Sequence, residues 1–303
     1  MDNVAVIGNS EVFSQASELW QKEILLLKQG LTAKNVNVKD VNWDKDEDVN
    51  WQEFKAIYIG EVGHPSGYDK FRTWCDKVKS AGVTLFNGLE TLKLYTDKQK
   101  YLTSLASLGI PVIPTHFLSG SISNRAMLMQ IAEQYHLGDV VVVKPIYATF
   151  GENNFLVNLI EDDYNLLISE IPPGIIVQKF MPNVRIEGEY SFIIYNNKIS
   201  HSVLKVPSKW DHRTHQMHGG TSQLVTPCDD DLKAVKNVLE SIVHLTGEKA
   251  HKFRIDMIRC EQTQQLLLLE LELGDPIQYL NLLSDEQQKK AINEFIESTQ
   301  LTS

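Results

Sequence analysis

Two apolar segments late in the chain carry acids where acids are costly. FRIDMIRC (253–260) sets Asp256 between Ile255 and Met257, and LLLLELEL (266–273) inserts Glu270 and Glu272 into a run of leucines. Both read as strands, so Glu270 and Glu272 share one face, and Arg254 shares a face with Asp256. If the two strands pair, three carboxylates converge. Carboxylates so crowded need a counter-charge, and hard oxygen donors favour Mg²⁺. Arg254 serves that role or binds an anion. The alternative is an edge strand with Glu270 and Glu272 on its solvent face.

A lysine adds to this set. In VVVVKP (140–145), four valines predict a buried strand, and Lys144 at its end cannot be buried unpaired without a large desolvation cost. It must reach solvent or an anion. The loop beyond contains Ala148, Thr149 and Gly151, small residues suited to presenting backbone N–H groups to a phosphate. Further on, VQKFMPN (177–183) runs from strand into loop, and Glu187 and Glu189 flank Gly188 where a new strand begins. These two acids are either exposed hairpin residues or polar groups beside a buried cleft. His201, His212, His215 and His218 are irregularly spaced and lack cysteine partners, which argues against zinc; His218, beside Gly219–Gly220, is the substrate-contact candidate.

The elements that must position these residues follow from periodicity. VAVIG (4–8), VNVKDV (36–41), FKAIYI (54–59) and VTLF (83–86) read as strands. Helices over 17–29, stopped by Gly30, and over 69–79 alternate with them, which predicts a small parallel α/β lobe. A helix over 97–108 starts at Thr96 or Asp97, and GIPVIPT is held extended by its prolines. Next come a helix over 124–136, the VVVVKP strand, an irregular stretch over 146–154, a helix over 162–170 ended by Pro172–Pro173–Gly174, and a strand over 175–180. Beyond Pro182 the pattern is antiparallel, with EYSFIIY and KISHSVLKV flanking the turn dipeptide Asn196–Asn197. A loop rich in His and Gly (208–222), a helix over 229–246, the acid-bearing strand pair and a helix over 284–297 complete the chain.

Bulk properties narrow the function. The 303 residues are enough for two or three packed lobes. A net charge of −10 excludes the basic footprint of a general nucleic-acid binder. The start MDNVAVIGNS lacks the basic flank and apolar stretch of a signal peptide, and apolar runs such as Leu266–Leu269 are too short to cross a bilayer. Cys75, Cys228 and Cys260, sparse and odd in number, fit a reducing cytoplasm.

Six segments stand in a telling order: DKQKYLTSLASLGIPVIPT, VVVVKP, VQKFMPN with EGEYSFIIYNNKISHSVLKVP, HGGT, FRIDM and LLLELELGDP. Together they resemble the ATP-grasp superfamily over nearly the whole chain. The closest branch is that of the D-cycloserine cyclo-ligase, with glutathione synthetases and RimK-like ligases more distant. The resemblance implies an α/β fold of the ATP-grasp kind: a pre-ATP-grasp lobe at 1–90, then an ATP-grasp domain at 91–303 with a lid subdomain at about 118–182, its two α+β subdomains sandwiching ATP. It implies that Lys98, with Lys100 as the alternative register, and Lys144 contact the nucleotide. Gln178, Lys179, Phe180 and Met181 match the adenine hinge, mostly through the backbone of Lys179 and Met181. Glu189, or else Glu187, matches the acid on the ribose hydroxyls. Asp256, Glu270 and Glu272 match the ligands of Mg²⁺, for which Mn²⁺ can substitute; relatives often carry Asn at the last position. Arg254 matches the arginine that stabilises an acyl phosphate, and Lys205, Arg213 and Gly219–Gly220 match the substrate side.

The activity so implied is ATP-dependent joining of a small-molecule, amino-acid-like carboxylate to an amine, between molecules or within one, by a cytoplasmic homodimer without nucleic-acid or membrane partners. The chain departs from the pattern in three places. Gly60–Tyr68 (GEVGHPSGY) lacks the arginine and the tryptophan–aspartate pair of the branch. Tyr147, Thr149 and Phe150 stand in a loop that is usually small and serine-containing, and GDP at 274–276 replaces an acid–proline ending. These departures leave the substrate open, and they keep a nucleotide-binding protein without ligase activity as the alternative.

Overall fold

The computed structural model describes residues 2–8, 18–45, 49–63, 67–147, 151–161 and 174–301. The helix expected at 162–170, its proline stop, the loop residues Ala148, Thr149 and Phe150, and His64–Ser66 lie outside them.

The chain begins as β1 (Asn3–Gly8), α1 (Glu18–Ala33), β2 (Asn37–Asn42), β3 (Ala56–Ile59), α2 (Tyr68–Ser80) and β4 (Thr84–Phe86). The four strands pair in parallel in the order β2-β1-β3-β4. β1 and β3 are almost wholly buried, as in a parallel sheet covered on both faces. Alternation divides β1, with Val4 and Val6 packing beside Trp20 and Leu27 of α1, and Ala5 and Ile7 beside Phe71 and Trp74 of α2.

Helix α3 (Leu89–Tyr95), which the apolar pattern did not predict, leads into α4 (Lys98–Ser107). Asp97, not Thr96, caps α4 by accepting the Lys100 N–H. A second sheet is built from β5 (Thr115–Leu118), β6 (Val140–Pro145), β7 (Phe155–Asn158) and β8 (Ile175–Lys179), antiparallel in the order β5-β8-β6-β7 and covered by α5 (Arg125–Gln134). Val141 and Val143 of β6 pack under Leu128 and Ile131 of α5. The pleat therefore turns Val142 and Lys144 the other way.

Beyond the one-turn helix α6 (Asn183–Ile186), a third sheet forms from β9 (Glu189–Tyr195), β10 (Lys198–Val206), β11 (Thr221–Leu224), β12 (Lys252–Arg259) and β13 (Leu266–Glu272). Its order is β11-β10-β9-β12-β13, antiparallel throughout, with α7 (Asp229–Thr246) between β11 and β12 and α8 (Asp285–Ser298) after β13. Asn196 and Asn197 both take positive φ, as a tight hairpin turn requires. Phe192, Ile194, Phe253 and Ile255 face the core shared with α7, while Ile193, Tyr195 and Val203 pack against α8. The same face becomes polar further along, and there the acids sit.

Gly30 corrects one expectation: α1 does not stop at it but continues to Ala33. A Cβ at Gly30 would lie 2.8 Å from Ile292 and Ile296, so this glycine admits α8 rather than ending α1.

Candidate active site

β12 lies between β9 and β13, and the register pairs Asp256 with Glu270 on one side and Ser191 on the other, Arg254 with Glu272, and Lys205 of β10 with Glu189 of β9. Seven polar side chains thus gather on one patch of sheet. Arg254 donates from Nε to both oxygens of Asp256 (3.0 and 3.1 Å) and from Nη2 to Oδ2 (2.9 Å). Its Nη2 also stands 3.7 Å from Glu272. Lys205 pairs with Glu189 and lies 3.5 Å from Asp256, and Ser191 hydrogen-bonds Asp256. Thr214 donates to the second oxygen of Glu189 at 2.7 Å. Lys98, at the start of α4, pairs with Glu270, whereas the Lys100 side chain is exposed.

A cleft of about 670 Å³ opens between this patch and the β5–β8 sheet. Lys144, Gln178, Lys179, Phe180, Met181, Glu189, Lys205, Arg213, Arg254, Asp256 and Glu270 all line it. Lys98 and Glu272 stand behind that lining, tied to it through Glu270 and Arg254. Glu187 does not join them. It pairs with Arg259 (3.0 Å), is hydrogen-bonded by Tyr190 and accepts from Asn183 (2.7 Å), while Arg259 also holds Asp231 of α7. Glu187 therefore fixes the chain below the cleft, and Glu189 is the acid within it. Gly188 separates the two: its φ is +127°, and a Cβ there would fall 2.8 Å from the Lys205 carbonyl.

One end of the cleft is an apolar slot made by Ile113, Met181, Val184, Ile258 and Leu269. The Lys179 N–H donates to the Pro114 carbonyl (2.9 Å), which leaves Lys179 only its carbonyl for a ligand. Among the described residues the Met181 N–H has no acceptor. Gln178 is spoken for as a side chain, accepting from Lys144 Nζ (3.2 Å) and donating to Thr115 (2.9 Å).

The electrostatics separate the groups. Burial pulls the Lys144 amine below its usual value, with Glu270 pulling it back only in part. Burial likewise raises the Glu272 carboxyl to about 8, with Glu270 and Asp275 adding to the effect against Arg254 and Lys98. For Asp256 burial acts in the same sense, but Arg254 and Lys205 outweigh it and hold the carboxyl well below the carboxylate range. Among the described residues no three His, Cys, Asp or Glu side chains form a ready metal shell.

The histidine-rich loop supplies residues that spacing did not single out. His212 lines the cleft and pairs through Nε2 with Asn154 Oδ1 of the loop before β7 (2.9 Å). Arg213 is held by Asp211 (2.8 Å) and donates to the Gly151 carbonyl (3.3 Å). His215, not His218, lines the cleft. Burial lowers both His212 and His215 to about 4, so both are neutral near pH 7.

This architecture is shared from end to end with solved structures. The D-cycloserine synthetase DcsG superposes with a TM-score of 0.78 at 18% identity, over 98% of this chain and 99% of that one. A RimK domain ATP-grasp protein of Sphaerobacter thermophilus gives 0.66 at 15% identity, over 96% and 98%. The chain has the ATP-grasp fold. A D-alanine–D-alanine ligase of Bacillus anthracis complexed with ATP has the same ATP-grasp architecture (TM-score 0.69, 13% identity, 100% and 97% coverage). The family model of the D-cycloserine synthetase N-terminal domain matches residues 5–87. That match runs from within β1 to the end of β4 and takes in the Gly60–Tyr68 stretch. A comparison with the curated proteins finds no match.

Proposed function

We propose that the protein is an ATP-dependent carboxylate–amine ligase, acting on small amino-acid-like substrates with Mg²⁺ or, in its place, Mn²⁺. The observation that carries this reading is the convergence of four cations (Lys98, Lys144, Lys205, Arg254) and three acids (Asp256, Glu270, Glu272) at one end of a cleft whose other end is apolar. Adenine fits the apolar slot, with the Lys179 carbonyl and the Met181 N–H as its hydrogen-bonding edge. Glu189 takes the ribose hydroxyls. Lys144, desolvated and held by one neutral side chain, is left to pair with phosphate.

The donor set fits the metal. Its oxygens are hard, its acids sit on adjacent strands, and burial holds the half-buried Glu272 carboxyl high despite Arg254 and Lys98, so added positive charge would favour its ionised form. Mg²⁺ is ordinarily held by one or two carboxylates together with substrate phosphates, so no dedicated cage is needed. When bound, the metal neutralises charge on the phosphates. The chain's own groups do the rest. Arg254 and Lys205, fixed by Asp256 and Glu189, present positive charge where a carboxylate attacks the γ-phosphorus. A carboxylate O–P bond forms as the β–γ P–O bond breaks, giving an acyl phosphate and ADP. An amine then attacks the carbonyl carbon, the C–N bond replaces the C–O bond, and phosphate and a proton leave. Residues 1–90 form the substrate-side lobe in this reading, and about 118–182 the lid.

An ADP-release screen of amino acids and their derivatives, with hydroxylamine to trap the acyl phosphate, tests the proposal. Expected are Mg²⁺-dependent ADP release, hydroxamate with an accepted acid, and loss of both in Lys144→Ala and Glu270→Ala. Undiminished turnover in purified Glu270→Ala would remove the metal assignment. ATP binding without hydroxamate across the panel would favour a non-ligating nucleotide binder.

A further inference from the structure

Among the described residues eight non-glycine positions have positive φ, and all but one are Asn, His or Gln. The exception is Tyr279 (φ 54°, ψ 34°), only 8% exposed. An aromatic residue in the left-handed region is strained and persists only where its surroundings over-determine it. Here they do. Glu23 of α1 accepts from the Gln278 N–H (2.9 Å) and the Leu280 N–H (3.0 Å), His201 of β10 donates from Nε2 to the Gln278 carbonyl (2.7 Å), and Arg254 of β12 donates to the Ile277 carbonyl (3.1 Å). Three separate elements thus clamp the residues on either side of Tyr279.

The clamp aims the ring. Arg254 lies 6.0 Å from the Tyr279 centroid, and the phenol is close enough to act on the charges of both Lys205 and Arg254. Its hydroxyl takes no hydrogen bond among the described residues, yet it is not sealed off as a buried unpartnered atom. A strained tyrosine whose hydroxyl is accessible beside two substrate-side cations, with its backbone fixed from three directions, is built to touch something. Tyr279 stands just behind the cleft lining, against Arg254, and we infer that it is a substrate-contacting, specificity-determining residue, its hydroxyl donating to a carboxylic substrate that reaches past Arg254 and Lys205. This rests on the ligase reading.

The bland account is that Tyr279 only begins the short 3-10 turn Leu280–Leu282. Two variants separate the accounts. Tyr279→Phe keeps ring and packing and removes the hydroxyl. Tyr279→Asn suits the left-handed backbone but removes a ring packed in the core, so it is expected to fold with a lowered unfolding temperature. ADP release is measured with purified full-length protein and a probe panel of the common L-amino acids, D-alanine and D-serine. With the acid that wild type accepts, the expected result is an apparent KM about tenfold higher in both variants, as for a lost hydrogen bond to a charged group. The KM for ATP and the unfolding temperature should not change in Tyr279→Phe. An unchanged acid KM in both variants overturns the inference and leaves the ligase reading standing. No ADP release by wild type with any probe overturns both.

Discussion

The two sheets that wall the cleft treat charge in opposite ways. On the β9–β13 floor nearly every ion has a built-in partner: Lys205 with Glu189 and Asp256, Asp256 with Arg254, Glu270 with Lys98. The β5–β8 wall offers Lys144, half-buried and hydrogen-bonded to one neutral amide oxygen. The floor is a preorganised field whose groups were desolvated and paired when the chain folded. The wall carries a cation for which the proposed function supplies a phosphate partner. Stability and nucleotide affinity should therefore fail separately when the two are cut.

Four measurements test that division. The largest effect is expected from Glu270→Ala, which removes an oxygen proposed to hold the metal and the carboxylate paired with Lys98; ADP release should fall by about 10³-fold or more, an electrostatic loss at the transferring phosphate. Next is Lys205→Met. Leaving Glu189 without its cation, and Asp256 with Arg254 alone, should cost about 3–5 kcal/mol of folding stability, read from urea unfolding. Lys144→Met should do the reverse, with unfolding almost unmoved and ATP affinity by calorimetry about 10- to 100-fold weaker. If Lys144→Met destabilises the fold as much as Lys205→Met, the contrast between wall and floor is wrong. The smallest effect belongs to the seam between them, His212 with Asn154. His212 is depressed from 6.5 in the unfolded chain to about 4 when folded. The unfolded chain binds the proton more readily, so this histidine's contribution is complete above pH 6.5 and declines as pH falls toward 4. Thermal unfolding of His212→Gln should show a shallower fall across that window than the wild type.

Much of this was legible from the residues. Alternation placed Glu270 and Glu272 on one face of β13, and four valines followed by a lysine marked β6 and required Lys144 to reach solvent or an anion. What the residues hid was cross-strand register. Nothing local pairs Lys205 with Glu189, because that depends on the Asn196–Asn197 turn and on the irregularity between Ile199 and His201. The choice between Glu187 and Glu189 was equally hidden, since it turns on where the one-turn α6 ends and on the backbone at Gly188. β7 escaped notice because four residues show too little periodicity, and α3 because only seven form it. Gly30 misled for a sound reason: a glycine late in an apolar helix reads as its end, and only the tertiary partner reveals a contact.

That partner has a consequence for how the protein is made. The β1–β4 sheet leaves the ribosome before α8 and until then keeps part of one face uncovered, because Ile292, Phe295 and Ile296 of α8 cover it together with α1. Tyr58, which packs on Phe295 and hydrogen-bonds Thr299, must wait for α8 to be made. Nascent chains arrested before α8 emerges should accordingly be cut by protease within β1 to β3 and become resistant only once residue 296 has cleared the tunnel. In this molecule an early sheet is completed by a helix made long after it.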